Sequence, residues 1–146
     1  MVFFVTDGCL RSFFIDRHGK EHTLHFAIRN NWISDYIAIH SNESATLTVE
    51  CLTESSIIEF DTEKIYGMLT MFPELEPFQR ANLERLFISL QKRIINQLHL
   101  SAAERYDLFL EEYPDVEQHI PNYHIASYLG ITQESLSRIR ANKSRT

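Results

Sequence analysis

Gln133, Glu134, Ser137 and Arg138 follow a one-and-four spacing that lays them along one face of a helix. Their side chains suit base edges in a DNA major groove. An arginine can bond bidentately to guanine, a glutamine to adenine, and a glutamate can accept from cytosine N4. Just before them stand Thr132, able to cap a helix, and Gly130, able to turn the chain through positive φ. Ile125, Ala126 and Leu129 precede the turn, and Ile131, Leu136 and Ile139 follow it, small or apolar where two short helices must meet. Residues 118–140 therefore predict a helix-turn-helix, with Thr132, Tyr123, Lys143 and Arg145 placed to anchor phosphates. An ordinary helical hairpin with a polar face fits the same pattern.

Charge is distributed unevenly. The chain is acidic, with a net charge of −6 over 146 residues, whereas generic nucleic-acid binders are usually basic. Between 104 and 117, however, Glu104, Asp107, Glu111, Glu112, Asp115 and Glu117 stand against Arg105 alone. From 119 onward Arg138, Arg140, Lys143 and Arg145 stand against Glu134 alone. Positive charge thus gathers where phosphate would be met.

A hydrophobic content of 44% with 23% charged residues is that of a soluble globular protein. No apolar run approaches the roughly 20 residues of a membrane span. The N-terminus lacks the basic flank of a signal peptide, so a cytoplasmic home with no membrane partner is expected. Cys9 and Cys51 lie in strand-like segments and are expected to be buried free thiols. His22 and His25 would point to opposite faces of a strand, and His119 and His124 lack a ligating neighbour at metal spacing. No metal, no cofactor and no enzyme activity are expected, since neither a nucleophile–base pair nor a phosphate loop is identifiable.

The elements that must position the helix-turn-helix change character near residue 61. Before it the signals are strands. Two β-rich runs around Arg17-His18-Gly19-Lys20 predict a hairpin, and those around Thr53-Glu54-Ser55 a second one. A short helix and loop are expected between Trp32 and Ser44. After it, Asp61 can cap a helix over 62–71 that Pro73 ends. A long amphipathic helix follows over about 76–98. Leu83, Leu86, Leu90, Ile94 and Leu98, with Phe87 beside them, form its apolar stripe. That stripe is longer than a small β domain can cover, which predicts self-association. Ser101 to Glu104 is a capping box that opens a further helix. The expected architecture is α+β, with an antiparallel β-roll or jelly-roll-like region over 1–72, the long helix over 73–99 and a helical bundle over 100–146.

The stretch I-A-S-Y-L-G-I-T-Q-E-S-L-S-R-I-R resembles the helix-turn-helix of Crp/Fnr-type transcription regulators. The stretch from Gly8 to Ile28 resembles the core of their cyclic-nucleotide-binding-like β-roll, and the order of roll, long helix and helix-turn-helix is similar to theirs. The likeness implies a homodimeric transcription regulator, similar to short Bacteroidetes forms, paired through the long helix. Base contacts would come from Gln133, Glu134 and Arg138, although an arginine is usual at the first of these positions. An effector pocket would be built from Ser34, Asp35, Ser44, Ala45 and Thr46. The family's phosphate-gripping arginine is missing there, and Asp35 would repel an anion, so a regulator that does not respond to cyclic AMP is implied, with another small-molecule effector left open. The opening strands of the roll and the strands of a wing are not visible, which reads as an N-terminally truncated form. The alternative is a ligand-sensing or protein-interaction module whose helix-turn-helix is vestigial.

Overall fold

The computed structural model describes residues 1–41 and 43–144. Six strands come first: β1 (Val2–Asp7), β2 (Leu10–Ile15), β3 (Glu21–Ala27), β4 (Trp32–Ile33), β5 (Thr48–Cys51) and β6 (Ser56–Phe60), with the short helix α1 (Tyr36–Ser41) between β4 and β5. Then follow α2 (Thr62–Met71), a 3-10 turn (Pro73–Leu75), α3 (Glu76–His99), α4 (Ala102–Glu112), α5 (Asn122–Leu129) and α6 (Gln133–Lys143). The α+β architecture expected from the sequence is observed.

The strands form two antiparallel three-stranded sheets, ordered β4-β1-β6 and β3-β2-β5. β2 and β3 make the expected hairpin. Asp16 shapes its turn by accepting from the amides of His18 at 2.8 Å and Lys20 at 3.1 Å. The second expected hairpin is not formed. β5 pairs with β2 while β6 pairs with β1, so the segment at 53–55 carries the chain from one sheet to the other. Local turn signals report a reversal of the chain, not the strand that it next meets. A small core of Val5, Leu10, Ala27 and Ile33 joins the two sheets. Cys9 is buried as expected, but Cys51 is exposed; it ends β5, the outer strand of its sheet.

Local capping sets the helix starts. The Asp61 carboxylate accepts from Glu63 N and Lys64 N at the head of α2, and Ser101 and Glu104 complete their capping box before α4. None of the 24 residues of α3 is buried. On its outward face Leu83, Phe87, Ile94 and Leu98 are exposed, Leu98 by 81%, while Leu86 and Leu90 are half-buried. The larger core lies at the other end of the chain, where Tyr106, Phe109, Tyr113, Ile125, Leu129 and Leu136 pack together. Phe26 of β3 completes it. Its ring centroid lies 6.0 Å from Phe109, 5.7 Å from Tyr113 and 5.2 Å from Tyr128.

Burial, and then the charge of Arg93, push His25 down to about pKa 4. The unfolded chain would protonate this histidine near its ordinary value of about 6.5, while the folded chain would not. Stability is therefore present above about pH 6.5 and declines as pH falls toward 4. Thermal melts across that window should show the decline, and His25→Gln should flatten it. Some slope should remain, because burial lowers His124 in the same direction.

Candidate nucleic-acid interface

α5 and α6 form the helix-turn-helix pattern read from the sequence. Gly130 holds φ at +70°, and Ile131 N reaches back to Ala126 O at 3.0 Å. The Thr132 hydroxyl then accepts from Ser135 N at 3.2 Å and starts α6. Ile125, Ala126, Leu129 and Leu136 are buried, and Ile131 and Ile139 pack half-buried against them. This packing leaves Gln133, Glu134, Ser137 and Arg138 exposed together on α6. Glu134 sits below its ordinary carboxyl pKa, through its own backbone amide, the Thr132 hydroxyl and the nearby charge of Arg138. Among the described residues Arg138 makes no ion pair. Tyr123 is exposed on α5 with its ring against His124.

The basic charge counted from the sequence is partly spent inside the bundle. Lys143 pairs with Asp107 of α4. Arg140 pairs with Glu117 at 2.9 Å, and also bonds Asn122 Oδ1 at 2.5 Å and the Tyr106 hydroxyl at 2.9 Å. Both cations thus serve partly to hold α6 on its neighbours. Thr132 is exposed although its hydroxyl serves the cap, and Arg145 lies outside the described residues.

Residues that sequence reasoning passed over fix the orientation of this unit. Arg93, from α3, donates to Thr23 O at 3.0 Å, to Tyr128 O at 2.7 Å and to Leu24 O, with its guanidinium 4.2 Å from the Tyr128 ring centroid. Ser127 accepts from Thr23 N at 2.8 Å and donates to Glu21 O at 2.9 Å. Beneath them the buried Arg11 bonds Glu50 at 2.6 Å, Glu21 at 2.5 Å and Thr23 at 3.1 Å. The only sequence signal was an arginine beside an apolar stripe, which is common on solvated helices.

Of the five residues of the expected effector pocket, Ser34, Asp35 and Ala45 line one cavity and Thr46 bonds Asp35 beside it. Asp35 is buried and takes up the donors there. Its carboxylate accepts from Thr46 N at 2.7 Å, Leu47 N at 2.8 Å, and Ile37 N and Ala38 N at 3.1 Å each. Burial works to raise its pKa, but these bonds outweigh that and hold it below its ordinary value. Ser34 turns its hydroxyl to Met1 O at 2.7 Å. Ser44, Ala45 and Thr46 are exposed. The same cavity is lined by Asp35, Glu43 and Glu63 and, among the described residues, by no lysine or arginine.

No protein-family model matches the chain, and no curated protein matches it in sequence. Solved structures do match. FixK2 from Bradyrhizobium japonicum superposes with a TM-score of 0.82 at 18% identity, over 97% of this chain and 73% of that one. A protein described as a transcriptional regulator of the Crp/Fnr family from Eubacterium rectale gives 0.75 at 19% identity, over 99% and 69%. A cyclic nucleotide-binding domain-containing protein from Listeria monocytogenes gives 0.71 at 18%, over 97% and 71%. The fold therefore resembles that of Crp/Fnr regulators. No helix of the described residues is long and apolar enough to cross a membrane.

The turn supplies a test of the helix-turn-helix geometry. A Cβ at Gly130 would meet only the end of Gln97, at 3.9 Å, so the cost of a side chain there comes from the left-handed backbone. Gly130→Ala should destabilise the fold by about 1–2 kcal/mol in urea melts. Gly130→Asn should cost less, because asparagine tolerates this region.

Proposed function

We propose that the chain is a sequence-specific DNA-binding transcription regulator of Crp/Fnr type, acting as a homodimer paired through α3. The observation that carries the reading is the exposed face of α6, where Gln133, Glu134, Ser137 and Arg138 stand clear of the core on a helix capped by Thr132. Glu134 and Arg138 are the base-reading pair, Gln133 and Ser137 lie beside them, and Thr132, Tyr123, Lys143 and Arg145 approach phosphates. A two-fold partner is supported by the stripe on α3, whose large apolar side chains meet no other part of the chain closely enough to be buried. Two copies would present two recognition helices to half-sites about one DNA turn, or 34–36 Å, apart. The self-satisfied Asp35 supports regulation without cyclic AMP.

The internal pairing of Arg140 and Lys143 favours a second reading, a ligand-sensing or protein-interaction module with a vestigial helix-turn-helix. Random-site selection separates the two. An enriched sequence supports the regulator, and none from a folded dimer supports the module. On a selected site Arg138→Ala should weaken binding by about 1–3 kcal/mol and relax one base position; equal binding by the variant would remove its base-reading role. Asp107→Ala should free Lys143 and steepen the salt dependence of log K by about 0.9, the slope of one more phosphate neutralised.

Pairing has its own check. Phe87→Glu together with Leu98→Glu should shift sedimentation from dimer to monomer while circular dichroism stays unchanged. A wild-type chain that sediments as a monomer at tens of micromolar would exclude the α3 dimer.

A further inference from the structure

We propose that the half-open apolar cavity between β4, α1, α2 and the first turns of α3 is a binding site for an uncharged aromatic small molecule. It has a volume of about 250 Å³, just below the ~300–1,000 Å³ of small-molecule pockets, which suits a compact ligand of two or three rings. The site adjoins the Asp35 cavity, with which it shares Ile39, Thr62 and Tyr66, and its assignment does not depend on DNA binding.

Aromatic side chains build the walls. Trp32 packs against Phe60 with ring centroids 5.2 Å apart and against Phe4 at 4.9 Å, which fixes the indole from two sides. Tyr36 stacks on His40 at 6.5 Å, and the Tyr66 hydroxyl lies 3.3 Å from His40 Nδ1. Phe78, 58% exposed, stands at the mouth. These rings offer flat apolar surface at low cost in conformational freedom, since each has only two side-chain torsions.

Charge selects the class of ligand. No aspartate, glutamate, lysine or arginine lines the cavity. Transfer of an ion into such surroundings is costly without a partner, so a charged ligand finds no compensation. The next cavity along the sheet carries Asp35, Glu43 and Glu63 and adds repulsion for anions. Directed hydrogen bonds are offered by the amides of Gln79 and Asn82 on α3, the hydroxyls of Thr62 and Tyr36, and the His40–Tyr66 pair. A hydroxyl or carbonyl on the ring system would meet one of them.

Trp32 is the single tryptophan of the chain and is part of the wall, so the site can report its own occupancy. The uncharged probe N-phenyl-1-naphthylamine should quench Trp32 emission and gain fluorescence saturably, at one molecule per chain. Its anionic counterpart 8-anilinonaphthalene-1-sulfonate should bind at least about tenfold more weakly, a difference of about 1.4 kcal/mol. Ile65→Phe and Ile39→Phe, which fill the cavity, should each weaken the neutral probe while circular dichroism shows an intact fold. Quenching in the wild type tests the site even if both variants fail to fold. Non-saturable binding, equal binding of the anionic probe, or saturation without Trp32 quenching would overturn the assignment. So would a signal that vanishes as rising protein concentration drives self-association, since the mouth would then belong to a second copy.

Discussion

The guanidinium of Arg93 is the interaction on which the arrangement of this protein depends. It leaves α3 and meets carbonyl oxygens of β3 and α5 beneath the ring of Tyr128. Three elements far apart in the chain are thereby held by one cation. Among the described residues no carboxylate bonds it, and burial lowers its pKa although nearby Glu112 works the other way, so the oriented carbonyl dipoles and the aromatic face do most to compensate for the lost water. Lysine could not replace it, because a point charge cannot address several acceptors in fixed directions.

Around that cation the core is shared, not divided. Phe26 comes from a strand, yet its ring sits among Phe109, Tyr113 and Tyr128 of the helical bundle. Edge-on and tilted aromatic contacts of this kind contribute beyond their buried area. The α5–α6 pair is therefore stabilised partly by the strands, and the two respond together to anything that disturbs β3. α3 takes part in this junction through polar side chains, Arg93 and the Ser89 hydroxyl that donates to Glu112 at 3.4 Å, while most of its apolar surface stays outside.

What could be read from the sequence was local. Asp61, Ser101 with Glu104, and Thr132 were legible because a cap is decided within four residues. Gly130 was legible for the same reason, as was the hairpin around Gly19. Partners distant in sequence were not. The crossing of the chain between sheets at 53–55 depends on which strand waits at the far side, and the exposure of Cys51 depends on β5 ending at a sheet edge. Likewise the sequence offers Lys143 to phosphate and counts Arg140 toward the local basic charge, whereas Asp107 and Glu117 lie beside them in the fold. For the candidate site, residue types and spacing gave the outward face of α6, but not the contacts that aim it. Asp35 lies between these cases. Its sign was plain, whereas the five bonds it accepts require the backbone of 46 and 47 to fold over it.

Ser127 also bears on the solubility of the protein. β3 is an outer strand of its sheet, and outer strands present unpaired amides and carbonyls that can recruit a strand from another molecule. Here the Ser127 hydroxyl takes the Thr23 amide and the Glu21 carbonyl, while Arg93 takes the carbonyls of Thr23 and Leu24. Side chains from two helices thus occupy the edge as a neighbouring strand would. A swing of α5 away from the roll would uncover that edge, so the reach of any such motion is bounded by the hazard of aggregation.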